Sequence, residues 1–207
     1  MGYKTEQEKF WAGDFGKEYI ERNKSNRLLA ANVNFFVKAL NSAGKINSVI
    51  EFGSNVGMNL KALKILFPEI IEFAVEINSS AVEELKKYLS ADNIFNGSIF
   101  DYKPDKQFNL SMSKGVLIHI NPSMLGNAYE KLYQSSNKFI LIAEYFNPSP
   151  VSIDYRGNKE KLFKRDFCAE MMTQYPDLEL VDYGFCYKKD PAFSQDDITW
   201  FLLRKTK

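Results

Sequence analysis

The sequence has little of what metal centres and disulfide frameworks are built from: one histidine, His119, and two cysteines, Cys168 and Cys186, in 207 residues. Two widely spaced cysteines match neither a zinc-ligand spacing nor a disulfide network, so both thiols are expected to pack as small hydrophobes and no metal is expected. An excess of charge of one sign is missing too. The 27 Lys and Arg almost cancel the 26 Asp and Glu, so no overall field draws the chain to nucleic acid or to an anionic membrane. No apolar run approaches the roughly 18 residues of a membrane span, and the opening MGYKTEQEKF lacks the basic-then-apolar layout of a secretion signal. Glu6 stands where N-myristoylation needs Ser or Thr. The expected location is the cytoplasm. There is also no internal repeat, low-complexity tract or linker, and a hydrophobic content of 45% is enough for one buried core, so residues 1–207 read as a single domain.

What is there is an alternation of short apolar or aromatic runs with amphipathic stretches, the pattern of a layered α/β domain with a mainly parallel sheet. Seven strands are predicted, over residues 48–52, 71–77, 94–96, 109–113, 139–145, 180–187 and 199–205. Crossover helices are predicted over 57–67, ending at Pro68, over 79–89, and over 123–133 after Pro122. The stretch KKDPAFSQDD has no helical period and joins the last two strands as a long hairpin, which makes the final strand antiparallel. Two further helices, over 5–22 and 26–40, precede the first strand. Residues 1–45 are therefore expected to form a helical cover on a core of 46–207.

The segment VIEFGSNVGMNL runs a strand through two glycines into a helix. Glycines at such a junction let backbone amides approach a ligand closely. A dinucleotide loop would place glycine at 53, 55 and 58, where the chain has Gly53, Asn55 and Met58, and a P-loop lysine is missing as well. Asparagine tolerates positive φ better than other non-glycine residues, so Asn55 is expected to preserve the turn. Glu76 ends the second strand about 20 residues further on, the offset of a carboxylate that takes both hydroxyls of a ribose; alternatively it caps the helix starting near Ser79.

These residues resemble the first motifs of the class I S-adenosylmethionine-dependent methyltransferases: acidic Glu51 before G-x-N-x-G, Glu76, and NGSIFDY after the third strand. The resemblance covers roughly residues 48–205 and implies a Rossmann-like seven-stranded sheet with an antiparallel last strand and helices on both faces. It departs from the family at Asn55 and at Ser98, where an aspartate is common. It implies cofactor contacts from Gly53, Ser54, Asn55, Gly57 and Asn59, from Glu76 and Ile77, from Ser98 and Ile99 beside the adenine, and from Lys114. A narrower likeness, carried by EKFWAGDFGKEYIERN, KGVLIHINP, EYFNPSPVSIDYRG, LFKRDF and DDITWFLL, is to methyltransferases associated with pseudaminic acid biosynthesis, a group linked to bacterial surface sugars. It implies a small polar acceptor, acidic or sugar-derived, methylated on oxygen or nitrogen.

His119 follows the fourth strand at the carboxyl edge of the sheet and is a candidate general base, or a residue that only bonds a turn carbonyl. Tyr145 and Asn147 follow the fifth strand and either contact the acceptor or shape a proline-rich loop. Tyr155, Arg156, Lys164 and Arg165 read as an anion grip or as a solvated face. Phe10, Trp11, Phe15 and Tyr19 are spaced to pack a helix on the core, and Trp200 belongs in the core; alternatively Trp11 to Gly16 form a lid over the cofactor, with Tyr19 or Arg27 reaching its methionine carboxylate. No basic stripe and no N-P-P-Y segment supports nucleic acid as the acceptor. Two other readings stay open: a methyltransferase fold that binds without turnover, and a nucleotide-dependent oxidoreductase or epimerase. The oligomeric state is left open.

Overall fold

The computed structural model describes residues 2–20 and 24–206. Residues 21–23, which include Arg22 at the end of the first expected helix, lie outside the described residues. In chain order the principal elements are α1 (Glu6–Ala12), α2 (Asp14–Ile20), α3 (Asn26–Ala39), β1 (Ser48–Phe52), α4 (Met58–Leu66), β2 (Ile71–Glu76), α5 (Ser79–Leu85), β3 (Ile94–Asn96), β4 (Phe108–Lys114), α6 (Leu125–Gln134), β5 (Ser136–Glu144), β6 (Val151–Tyr155), β7 (Asn158–Lys164), α7 (Phe167–Gln174), β8 (Leu178–Phe185) and β9 (Thr199–Lys205).

The main sheet has seven strands in the order β3-β2-β1-β4-β5-β9-β8. Only β9 runs against its neighbours, pairing antiparallel with both β5 and β8. The chain winds outward from β1 in one direction through β2 and β3, and in the other through β4 and β5. The switch in direction opens a crevice at the carboxyl ends of β1 and β4. Register aligns these ends, with Phe52 opposite Val75 on one side and Ser113 on the other.

The strands hold because both faces are covered. Val49, Leu110, Met112 and Leu141 face a cluster with Phe35, Phe36, Leu60, Leu63 and Leu85 from α3, α4 and α5. Ile50, Val75, Ile140 and Ile142 face a second cluster with Leu132, Phe167 and Met171 from α6 and α7. Burial on both sides makes the inner strands largely apolar runs, which is why β1 and β9 match their expected limits; β3, at the sheet edge, matches its limits as well. Cys168 is buried in the second cluster as expected, whereas Cys186 is half-buried. No helix among the described residues is long and apolar enough to cross a membrane.

Three departures bear on function. Within the expected amino-terminal cover, α3 packs on the core with Phe35 and Phe36 at 1% and 0% exposure while its Leu28 and Asn32 reach the crevice, which α1 and α2 also line through Trp11, Gly16 and Tyr19. The first expected helix breaks at Gly13, and α2 then docks so closely that a Cβ on Gly16 would lie 1.9 Å from the Trp11 carbonyl oxygen. Residues 151–164, expected as loop and charged face, form the β6–β7 hairpin, separate from the main sheet. A helix that was not expected, α7, is capped by Asp166, whose carboxylate accepts from the Ala169 amide.

Candidate active site

The β1 loop alternates left-handed residues, with φ of 73° at Gly53, 47° at Asn55 and 76° at Gly57. Asn55 therefore adopts the positive φ expected of it. Its amide donates to Glu76 Oε2 at 2.7 Å, and the Asn78 amide donates to Glu76 Oε1 at 2.7 Å. The Glu76 carboxylate thus ties the β1 loop to the β2 loop. The cap of α5 is Asn78, which accepts from the Ser80 and Ala81 amides. Burial raises the Glu76 pKa, against the pull of the Asn78, Asn55 and Ile77 amides.

Beneath the loop, Glu51 is buried and accepts from Asn59 Nδ2 at 2.6 Å. Burial pushes its pKa up from 4.5 to about 8, despite the Asn59 bond and the Lys114 charge. Folded Glu51 consequently holds a proton at pH 7 that the unfolded chain has released, so its contribution to stability declines as pH rises from 4.5 to 8. That difference is worth about 3 kcal/mol at pH 7. Glu51→Gln, whose amide still pays part of the burial cost, is expected to stabilise the fold by about 2 kcal/mol at pH 7. Thermal unfolding of both proteins from pH 5 to 8 checks this: the gap should widen with pH, and a constant gap would remove Glu51 as its source.

After β4 the chain turns sharply through Leu117–His119. Glu144, at the end of β5, organises this turn: its Oε1 accepts from Ser113 Oγ at 2.7 Å and from the Val116 and Leu117 amides at 3.1 and 3.0 Å. The turn in turn fixes His119. Its Nδ1 lies 2.5 Å from the Lys161 carbonyl oxygen. A carbonyl only accepts, so Nδ1 carries the proton and Nε2 keeps the basic lone pair. Trp11 and Tyr155 pack on the ring with centroids 4.6 and 4.8 Å away, and burial lowers its pKa to about 4.

Two neighbouring cavities open over these groups. The larger, about 230 Å³, is lined by Trp11, Tyr19, Gly53, Ser54, Asn55, Asn59, Glu76, Ile77, Lys114 and His119, all expected from sequence. The smaller, about 80 Å³, contains Ser98 and Ile99 and shares Trp11, Gly53, Ile77, Val116 and His119 with the larger. Of the expected cofactor residues, Gly57 lies outside both, acting as N-cap of α4 against Leu85. Arg27 is exposed on α3, and Leu28 and Asn32 line the cavity in its place.

The six residues expected to bind the acceptor line neither cavity. Arg156 sits at the tip of the β6–β7 hairpin while Lys164 and Arg165 are at its base, roughly 20 Å away at strand rise. These side chains form no common grip. Arg165 is paired with Glu170 at 2.7 Å, and Lys164 lies over the Tyr145 ring. Tyr155 is instead a wall for His119. Asn147 donates to the Ser149 carbonyl at 2.5 Å, holding the proline loop in shape. Burial and the nearby Asp196 carboxylate raise the pKa of the Tyr145 hydroxyl.

Sequence reasoning missed the far wall of the larger cavity: Asn32, Gln195 and Asp196. Gln195 Nε2 donates to Asn32 Oδ1 at 3.1 Å, and Lys114 Nζ donates to the same oxygen at 3.4 Å. The available signal was Asn32 itself, a polar residue on the apolar face of α3.

No protein-family model matches the sequence, and no curated protein matches it. Solved structures do. Magnesium protoporphyrin IX methyltransferase from Synechocystis PCC 6803 with bound SAM is similar at 10% identity over 100% of both chains, with a TM-score of 0.71. A Burkholderia thailandensis 1,6-didemethyltoxoflavin-N1-methyltransferase is similar at 13% identity over 100% of this chain and 92% of that one, with a TM-score of 0.73. Mitomycin 7-O-methyltransferase is similar at 13% identity and a TM-score of 0.68; 98% of this chain is covered, spanning 61% of that one. At such identities the likeness establishes architecture alone: the chain has the Rossmann-like seven-stranded fold of these methyltransferases.

Proposed function

We propose that the chain is an S-adenosylmethionine-dependent methyltransferase acting on oxygen or nitrogen of a small polar acceptor. The observation that carries this reading is the Glu76 carboxylate, held by two loop amides inside a cavity at the switch point of this fold. The residues present fit the cofactor. Glu76 suits ribose hydroxyls, and the smaller cavity, lined by Val75, Ile77, Ile99 and Phe100, suits a flat base. Ser54 Oγ, Asn59 Oδ1 and Gln195 Oε1, on residues of the larger cavity, are buried without a hydrogen-bond partner among the described residues, as expected where a polar ligand belongs.

Bound, the cofactor supplies a methyl group on a sulfonium, open to direct displacement. The protein's part is to align the acceptor, exclude water and take a proton where the acceptor carries one. Trp11 and Tyr19 of α1 and α2 cover the cavity, and His119 Nε2 is the basic atom at its floor. Lys114, the only lysine or arginine among the described lining residues, stands with Asn32 and Gln195, and we assign this end to the acceptor. A carboxylate-bearing sugar, in keeping with the sequence resemblance to pseudaminic acid-associated methyltransferases, would suit that end, and a cytoplasmic location suits such a substrate.

Calorimetry with S-adenosylmethionine, S-adenosylhomocysteine and NAD tests the reading. The first two should bind in the micromolar range and NAD should not. Release of S-adenosylhomocysteine is then followed against acidic sugars and amines. NAD binding alone would move the chain to the oxidoreductase or epimerase class.

A further inference from the structure

We propose that Glu8, on α1, is the group that selects an amino-bearing purine in the smaller cavity, an inference that rests on the cofactor reading above. Glu8 is 8% exposed and, among the described residues, is the only carboxylate lining that cavity, whose walls are otherwise largely apolar or small. No cation pairs with it among the described residues, since the Lys4 ammonium is engaged by Asp101 at 2.7 Å. A buried carboxylate without a counter-charge is costly unless donors surround it.

The donors present leave one position open. Oε2 accepts from the Lys4 and Thr5 amides at 2.6 and 2.8 Å, with Thr5 Oγ1 at 3.4 Å, as part of the box that caps α1. Among the described residues Oε1 accepts only from Ser98 Oγ, whose oxygen also accepts from the Phe100 amide. A carboxylate oxygen takes at least two donors, so Oε1 has room for another. Because the smaller cavity shares Gly53, Ile77 and Val116 as walls with the larger, a nucleoside with its ribose at Glu76 directs its base toward this slot. An exocyclic amino group satisfies Oε1; the carbonyl oxygen of a 6-oxopurine opposes it. Selection of this kind, by a buried polar group left unpaired with the wrong ligand, is strong.

Dissociation constants of S-adenosylhomocysteine and S-inosylhomocysteine for wild type and Glu8→Gln test this. Glutamine also serves at this capping position, so the helix start is kept, while its amide both donates and accepts. The wild type should prefer the adenosyl compound by about 100-fold or more. In Glu8→Gln that preference should shrink by about tenfold or more, a ratio that a merely structural role of Glu8 would not change. Binding with the preference undiminished in the variant overturns the role of Glu8 alone. Wild-type binding of neither compound overturns the cofactor reading, and this inference with it.

Discussion

Glu76→Ala is expected to weaken S-adenosylhomocysteine binding by about 100-fold or more, since hydrogen bonds to a charged group are worth about 1.5–3 kcal/mol each and a ribose offers two hydroxyls. Part of the loss is indirect. The carboxylate also accepts from the Asn55 and Asn78 amides, so removing it frees both loops that form the nucleoside wall. Glu76→Gln separates the two contributions, because its amide oxygen still accepts from one loop while its NH₂ opposes the other. An intermediate loss of about tenfold is expected for it, with calorimetry as the measure and circular dichroism to confirm that each variant is folded. Affinity unchanged in Glu76→Ala would take Glu76 out of the ribose role, leaving it as a brace between loops.

That contact was legible in the sequence because it is local. A strand end, positive-φ positions at Gly53, Asn55 and Gly57, and an acid at a fixed offset are properties of one short βαβ unit. The seven-stranded sheet was legible for a related reason, since strands covered on both faces read as apolar runs. The β6–β7 hairpin is the counter-example. Its residues are largely exposed, and its remaining signal was the Arg156-Gly157 pair at φ of 50° and 80°, a two-residue turn of the kind that closes hairpins. Missing it made Arg156, Lys164 and Arg165 look like neighbours when the strand carries them apart. The acceptor wall was illegible for the opposite reason. Asn32 and Gln195 are 163 positions apart and meet only because α3 packs on the sheet beside the long loop before β9. Glu144 shows a third case: an acid interrupting an apolar strand end is visible, but its task of gathering the Val116 and Leu117 amides depends on the neighbouring strand.

His119 is where that gathering matters for chemistry. His119→Asn is expected to reduce the transfer rate about 100-fold on a hydroxyl acceptor while leaving cofactor affinity unchanged. Asparagine's NH₂ replaces the Nδ1–H that donates to the Lys161 carbonyl, so the turn is retained and only the basic nitrogen is lost. The effect sits at the low end of the range for general bases because burial holds the imidazole pKa near 4, which makes it a weak proton acceptor. The same burial sets the pH profile. The active form is the neutral ring; a ring with its ordinary pKa of 6.5 would lose activity as pH falls through that value, whereas His119 should stay neutral down to about 4. The rate should therefore show no histidine-linked decline between pH 8 and 5. An undiminished rate in His119→Asn would make the histidine a strut between Trp11 and Tyr155, and would mean that the acceptor brings its own free lone pair, as an unprotonated amine does.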